Sequence, residues 1–414
     1  MSSISFLIPT IDRVGGAERQ VILLAKGLSR RGWRVSIIAL SGTGGQVAGE
    51  LAAQGVEFST LEMRKGLADP RGWIRFHRWL GRERPDIVHA HLPHAVWLAR
   101  WSRLASPVRA VLDTIHTSAT GTPGRKFGYR VSRWLPDKVT AVSESVADMY
   151  VAARLVSRQG LTVLPNGIDI EKWKPDPLLR NALRRELGLA DEFMWLASGR
   201  LETVKDYPTL LRAMQQIPAP ARLIIAGEGY LEGQLQRLVA ELGLTHRVQF
   251  LGFAPDLYRW MQAADGFVLS SRWEGLPMGL LEAAACAVPA VATDVAGSCE
   301  IVVHESTGFL APAGNAGGLA LAMNRLIQTP PNERKEMGDR ARKWVTDRYD
   351  LERVLDLWES LYSALLGQNP SPVRWGHASL GGIPPGQSPP AIILAPCAGK
   401  AECATRKVPR TSAR

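Results

Sequence analysis

The chain has 414 residues, 46% of them hydrophobic, which is enough for two ordinary domains with sizeable cores. Its net charge of +11 is unevenly divided: residues 1–165 carry 23 Lys/Arg against 12 Asp/Glu, residues 166–367 carry 21 against 26, and residues 368–414 carry 6 against 1. The four cysteines, Cys286, Cys299, Cys397 and Cys403, have no C-x-x-C spacing and indicate neither a zinc site nor a disulfide framework. No apolar run approaches the roughly 18–20 residues of a membrane span, and no basic leader precedes the first strand, so a cytoplasmic protein is expected.

Along the chain, strands and helices alternate. The pattern predicts a strand over Ile4 to Pro9, a helix over Ala17 to Arg31 and a strand over Arg34 to Leu40. A helix near Gln46 to Ala53, a strand at Val56 to Thr60, a helix near Pro70 to Glu83 and a strand at Asp86 to His89 follow. The rhythm continues with a helix over Ala95 to Leu104 and strands at Ala110 to Ile115, Lys138 to Val142 and Leu161 to Leu164. Pro165-Asn166-Gly167-Ile168-Asp169 then makes a turn, and the Lys172 to Pro177 stretch is proline-bearing and irregular, so a domain boundary is set at residue 167.

The second half restarts the alternation. Strands are predicted at Phe193 to Ser198, Arg222 to Ala226, Val248 to Leu251 and Gly266 to Ser270, separated by helices over Pro208 to Gln216, Gly233 to Leu242 and Pro255 to Ala263. Strands at Val288 to Thr293 and Gly308 to Ala311 follow, then helices over Gly317 to Gln328, Asn332 to Tyr349 and Leu351 to Leu366. From Gln368 on, Pro, Gly, Ser and Ala dominate without periodicity, and residues 368–414 are expected to be a disordered tail. The fold class is therefore α/β, with Rossmann-like domains at 1–167 and 168–367 facing an interdomain cleft.

The richest motif is Ser270-Ser271-Arg272-Trp273-Glu274-Gly275-Leu276-Pro277-Met278-Gly279-Leu280-Leu281-Glu282. It puts Glu274 at the carboxyl end of a buried strand, where open α/β sheets bind ligands, and Glu282 about one turn into an apolar helix. A carboxylate among Leu280, Leu281, Ala283 and Ala284 costs several kcal/mol unless it finds hydrogen-bond donors, which sugar hydroxyls would supply. Near the start, Gly15-Gly16 lets the backbone approach a ligand just before a helix, and exposed amides at such an end favour phosphate. Ser198-Gly199-Arg200-Leu201 follows a strand and is joined five residues later by Lys205, two cations that could close on a diphosphate. Gly227-Glu228-Gly229 repeats the glycine pattern after Ile224-Ile225-Ala226 but is not completed to G-x-G-x-x-G, and no G-x-x-x-x-G-K-[ST] loop is present.

Taken in order with Asp86-Ile87-Val88-His89-Ala90-His91, His116 and Asn166-Gly167-Ile168-Asp169, these motifs resemble the retaining GT-B glycosyltransferases of the glycogen-synthase-like, GT4-type group, over about residues 4 to 366. The resemblance implies an N-terminal acceptor domain and a C-terminal nucleotide-sugar donor domain with a terminal crossover helix. It implies that Arg200 and Lys205 bind the donor diphosphate, Glu282 the ribose hydroxyls, and Glu274 with neighbouring amides the donor sugar. His116 would face that sugar, orienting or polarising it, Gly16 would let the first loop approach the phosphates, and Gly227 and Gly229 would lie near the base. Pro277 stands where many members have glycine, so sugar contacts would come from Met278 and Gly279; Ser298 replaces a frequent second glycine, and no contact is carried over there.

No cofactor or metal is expected. His89, His91 and His94 lie at a strand end without helical i, i+4 spacing or an accompanying carboxylate or cysteine, so His91 is assigned to the cleft lining and the other two to packing. The expected reaction is metal-independent hexosyl transfer with retention, from a UDP-sugar rather than a GDP-sugar, to a saccharide or lipid-linked acceptor in cell-envelope or exopolysaccharide synthesis. The competing readings are a GT-B sugar-nucleotide epimerase and a basic nucleic-acid-binding protein, separated by product analysis and by salt-dependent nucleic-acid binding; nucleic acid is not an expected partner. Trp73, Phe76 and Leu80 share a helical stripe among Arg71, Arg75 and Arg78, and Trp97, Arg100, Trp101 and Arg103 follow. Two readings stand: these aromatics pack the N-terminal core, or with Trp79 they lie on an anionic membrane at the inner face.

Overall fold

The computed structural model describes residues 2–64, 69–106, 108–189 and 192–368. The expectation for the tail therefore lies outside the described residues, except that Gln368 itself is tied back through its amide to the Ser363 carbonyl at 2.9 Å.

The first half comprises β1 (Ser3–Ile8), α1 (Gly16–Arg30), β2 (Arg34–Ala39), α2 (Gly45–Ala52), β3 (Val56–Thr60), α3 (Pro70–Glu83), β4 (Ile87–His91), α4 (Pro93–Ser102), β5 (Ala110–Ile115), α5 (Pro123–Val131), β6 (Lys138–Ala141), α6 (Glu144–Ala152) and β7 (Leu161–Val163). Its strands form one parallel sheet in the order β3-β2-β1-β4-β5-β6-β7. Ile4 pairs with both Val35 and Ile87, so strand order reverses at β1 and β4. Every residue of both strands is buried, as expected where helices cover both faces of a parallel sheet.

The second half comprises α7 (Pro177–Glu186), β8 (Phe193–Ser198), α8 (Tyr207–Gln215), β9 (Ala221–Ala226), α9 (Glu232–Glu241), β10 (Val248–Gly252), α10 (Leu257–Ala263), β11 (Gly266–Leu269), α11 (Met278–Ala285), β12 (Ala290–Thr293), α12 (Ser298–Ile301), β13 (Gly308–Ala311), α13 (Ala316–Gln328), α14 (Pro331–Tyr349) and α15 (Leu351–Leu365). Its parallel sheet runs β10-β9-β8-β11-β12-β13, reversing at β8 and β11. In both sheets the reversal opens a crevice at the strands' carboxyl ends, and the loops after β1, β4, β8 and β11 start there.

The chain ends back on its first half. Tyr349 and Leu351 exchange backbone hydrogen bonds with Ile168, after which α15 packs on α1. Trp358 and Tyr362 are buried there, and Arg31 binds the carboxylates of Glu352, Asp356 and Glu359. The sequence pattern predicts no helix at α5, α6, α7 or the one-turn α12. Thr122, Ser143 and Asp176 cap α5, α6 and α7, and in α5 and α7 a proline follows the cap, so the residues that look like breakers mark starts.

Candidate active site

The loop after β8 and the loop after β11 meet. A short 3-10 turn over Thr203–Lys205 directs Lys205 back across Gly199, and its Nζ lies 2.6 Å from Glu274 Oε1. Ser271 Oγ donates to the same oxygen at 2.6 Å. The turn is fixed from below, since Ser270 Oγ donates to the Lys205 carbonyl and the Asp206 carboxylate holds Thr209 and Arg272. Arg200 projects further out, pairs with Glu202 at 3.3 Å, and lies near enough to Glu18 of α1 to oppose the rise that burial imposes on that carboxyl.

Gly199 and Gly227 both have φ near +144°, and a Cβ on Gly227 would collide with the Gly199 carbonyl. Loop stacking therefore accounts for glycine there, and a Cβ on Gly229 would likewise strike the Leu201 backbone. Gly279 is confined by Phe267 and Ser198.

The domains touch at the same place. A Cβ on Gly275 would collide with the His116 carbonyl, Ser118 N–H donates to the Glu274 carbonyl at 3.2 Å, and Asn166 Nδ2 donates to the Leu276 carbonyl at 2.9 Å. Glu300 reaches across to accept the N–H groups of Glu144 and Ser145 at the start of α6. At this seam two helix N-termini face one another, for Gly16 at the start of α1 lies against Met278 at the start of α11. Pro277 is the N-cap of α11 and offers no side-chain cap, which leaves the first amides, of Met278 and Gly279, without an intrahelical acceptor.

Glu282, one turn in, has a side chain only 2% exposed, and its carboxylate pairs across the seam with Arg19 of α1, whose side chain is 40% exposed. Burial raises the Glu282 pKa, and Arg19 partly offsets that rise. The starts of α1 and α11, Arg200 and Lys205 thus gather at the seam beside Glu274 and Glu282, an arrangement suited to an anion carrying hydroxyl groups.

Residues 14–172 match the family model for Glycosyltransferase Family 4, and residues 180–344 that for Glycosyl transferases group 1. The chain is 30% identical over 329 residues to the N-acetylgalactosamine-N,N'-diacetylbacillosaminyl-diphospho-undecaprenol 4-alpha-N-acetylgalactosaminyltransferase of Campylobacter jejuni, covering 76% of this chain and 87% of that one. The chain is a family 4 glycosyltransferase. It acts on nucleotide sugars in glycan synthesis. A second relative, the UDP-Gal:alpha-D-GlcNAc-diphosphoundecaprenol alpha-1,3-galactosyltransferase of Escherichia coli, is 25% identical over 310 residues, 72% of this chain and 80% of that one. The crystal structure of Anabaena Alr3699/HepE in complex with UDP and glucose superposes with a TM-score of 0.76 at 24% identity, covering 88% of this chain and all of that one, and the likeness confirms the GT-B fold.

Behind His116 the glycosyltransferase has a histidine relay. His116 Nε2 lies 2.8 Å from His91 Nδ1, and the His91 ring packs 4.1 Å from that of His89. Thr140 donates to the Asp113 carbonyl, so Thr114 donates to Thr140, His89 Nε2–H to Thr114, and the Tyr362 hydroxyl to His89 Nδ1. His89 therefore packs, as expected, and anchors α15. His91, expected to line the cleft, is fully buried one layer behind His116, and His94, expected to pack, is exposed. Among the described residues no group of three or more His, Cys, Asp or Glu is arranged to hold a metal ion.

Burial holds all three relay imidazoles neutral, pushing His116 down to about 4 and His89 and His91 well below the usual range. The unfolded chain takes up these protons below about pH 6.5, and the native chain resists until the lower folded value. The stability this contributes is complete above pH 6.5 and is lost as pH falls through that window. Glu282 and Asp113, with raised values, act with the opposite sign, so the informative quantity is a difference. Between pH 7 and 4, wild type is expected to lose on the order of 3 kcal/mol relative to His116→Gln in urea unfolding. A pH-independent difference would show that the imidazole is not held neutral.

The aromatic stretch resolves in favour of the core. Phe76, Trp79 and Leu80 are buried, Trp73 and Trp97 are half-buried against the core, and Arg75 binds the Leu61 carbonyl and Glu62. Arg100 is wholly buried, with Nε donating to Asp113 at 2.6 Å and Nη1 to Ser132 at 2.9 Å, and its guanidinium lies 4.9 Å over the Tyr129 ring. Arg103 pairs with Asp137. The reading of this stretch as a membrane face is thus corrected. Conversely, the sequence reading passed over Arg19 and Ser271. A capping signal was present, as Glu18 accepts the Gly15 N–H three residues back, but nothing local indicates that the next residue pairs with a carboxylate in the other domain.

Proposed function

We propose that the enzyme transfers a hexosyl-type sugar, with retention of anomeric configuration and without a metal ion, from a UDP-sugar in preference to a GDP-sugar. The acceptor is a saccharide or lipid-linked saccharide in cell-envelope or exopolysaccharide synthesis. The observation that carries the reading is the pairing of Lys205 with Glu274 beside the uncapped start of α11, with buried Glu282 one turn deeper. On this reading the N-terminal domain takes the acceptor and the C-terminal domain the donor. Arg200, Lys205 and the Met278 and Gly279 amides hold the diphosphate, while Glu282 accepts the ribose hydroxyls in place of Arg19. Glu274 takes the sugar hydroxyls, Gly16 lets the first loop approach the phosphates, and Gly227 and Gly229 border the base. The relatives' UDP-Gal donor and diphosphoundecaprenol acceptors support the choice of base and of a lipid-linked acceptor.

In the reaction the bond from the anomeric carbon to the diphosphate breaks as the sugar becomes oxocarbenium-like, and the cations and helix dipoles meet the charge building on the leaving group. The acceptor hydroxyl enters on the same face, its oxygen forms the new glycosidic bond, and its proton passes to the departing diphosphate oxygen. His116, held neutral, orients a sugar hydroxyl and does not serve as an acid near neutral pH. A panel of UDP- and GDP-sugars, scored for nucleoside diphosphate release with an acceptor extract and again in excess EDTA, tests the reading. Release from a UDP-sugar that persists in chelator, with an α-linked product from an α-linked donor, is the expected result. Loss of turnover in EDTA with recovery on Mn²⁺ would overturn the metal-free site, and an altered sugar without nucleotide release would overturn transfer itself.

A further inference from the structure

The inner face of α5 is fully committed. Gly128 packs so tightly on Trp97 that a Cβ would collide with the indole, Tyr129 sits beneath Arg100 and 5.9 Å from the Tyr150 ring, and Ser132 and Leu135 are buried. These contacts fix the rotation of the helix and force Phe127 and Val131 on its opposite side, with Trp134 in the turn that follows, into solvent. Phe127 is 66% exposed, Val131 39% and Trp134 66%. The polar end of Trp134 is already used, since Nε1 donates to the Val131 carbonyl at 3.0 Å, so its exposed ring presents an apolar surface. From Asp113 to Asp137 the sequence holds no other acidic residue, while Arg125, Lys126, Arg130 and Arg133 supply four cations.

We propose that this face, with Phe127, Val131 and Trp134 ringed by Lys126, Arg130 and Arg133, docks on an anionic phospholipid surface. Aromatic rings on one side of a short helix and the turn after it, among cations with no acid between Asp113 and Asp137 in the sequence, match the chemistry of the headgroup boundary: apolar side chains enter it and the cations meet the phosphates. The aliphatic Val131, between Phe127 and Trp134 in the sequence, favours a lipid boundary over nucleobases, which stack only on planar groups. The location adds a consequence. α5 follows β5 after a single loop, and that loop carries His116, so a docked α5 sets the interdomain seam beside the lipid surface. Docking itself does not depend on the glycosyltransfer reading; presentation of a lipid-linked acceptor to the seam rests on it.

The test is co-sedimentation of the full chain with phosphatidylglycerol–phosphatidylcholine vesicles, phosphatidylcholine vesicles and a fluorescent single-stranded oligonucleotide. Wild type should sediment with the anionic vesicles at low salt, less at high salt, and remain in the supernatant with phosphatidylcholine alone. Phe127→Ser/Trp134→Ser and Arg130→Glu/Arg133→Glu should each weaken partition by about tenfold or more, with unchanged melting temperature and unchanged nucleotide release to water or a soluble acceptor. Wild type remaining in the supernatant, variants that sediment equally, or binding of the oligonucleotide in preference to vesicles would each overturn the proposal. Vesicle binding without sugar-nucleotide turnover would leave docking standing and sink the transfer reading, whereas turnover without vesicle binding would do the reverse.

Discussion

Lys205→Ala is expected to lower kcat/KM by roughly 100- to 1,000-fold, as removal of one donor to a developing oxyanion does elsewhere. The side chain lies 2.6 Å from Glu274, and its truncation removes a cation from the proposed diphosphate and leaves Glu274 with Ser271 alone. The backbone should hold, because Ser270 and Asp206 fix the turn independently of the ammonium. Affinity for a nucleoside diphosphate should fall by about 1.5–3 kcal/mol, the contribution of a charged hydrogen bond, while a nucleoside monophosphate should be much less affected. Arg200→Ala should lose less, since its guanidinium is more exposed and its partner Glu202 stands at 3.3 Å. Calorimetry with both nucleotides and steady-state kinetics check the two variants together. Unchanged diphosphate affinity in both would remove these cations from the site.

The parallel strands were legible because each is a short apolar run ending in a turn at which a ligand loop begins. β3, β5, β8 and β13 fall on the residues that the pattern predicts. The Lys205–Glu274 pair was foreshadowed by two motifs that the reversal of strand order at β8 and β11 brings to one crevice. The aromatic stripe of α3 was not legible in the same sense, since periodicity shows that a face is apolar and says nothing of what covers it. Arg100 shows the limit sharply: its partner Asp113 lies on β5, and only the tertiary fold turns a helix cation into a buried ion pair. α5 failed for a local reason, as Gly121, Pro123, Gly124 and Gly128 look like a loop until Thr122 is seen as a cap and Gly128 as a close contact with Trp97. Arg19 failed for a global one, because Glu282 is 263 positions away in the other domain.

That same pair gives the second large effect. If ribose hydroxyls replace Arg19 on the buried Glu282 carboxylate, Glu282→Gln should weaken nucleoside diphosphate binding by about 3 kcal/mol or more, since two hydrogen bonds to a charged acceptor become bonds to a neutral one. Stability should change little, because the variant removes a buried charge and leaves Arg19 facing solvent. Arg19→Ala should be the more damaging change for folding, as it leaves the carboxylate under the seam without its counter-charge. The decisive measurement pairs protein and ligand changes. A nucleotide lacking its 2′- and 3′-hydroxyls should bind wild type about as weakly as Glu282→Gln binds the intact nucleotide, and combining both changes should cost little more than either alone. Additive losses would mean that the hydroxyls and Glu282 act at separate places, and the carboxylate would then be a structural partner of Arg19 that holds the two domains together.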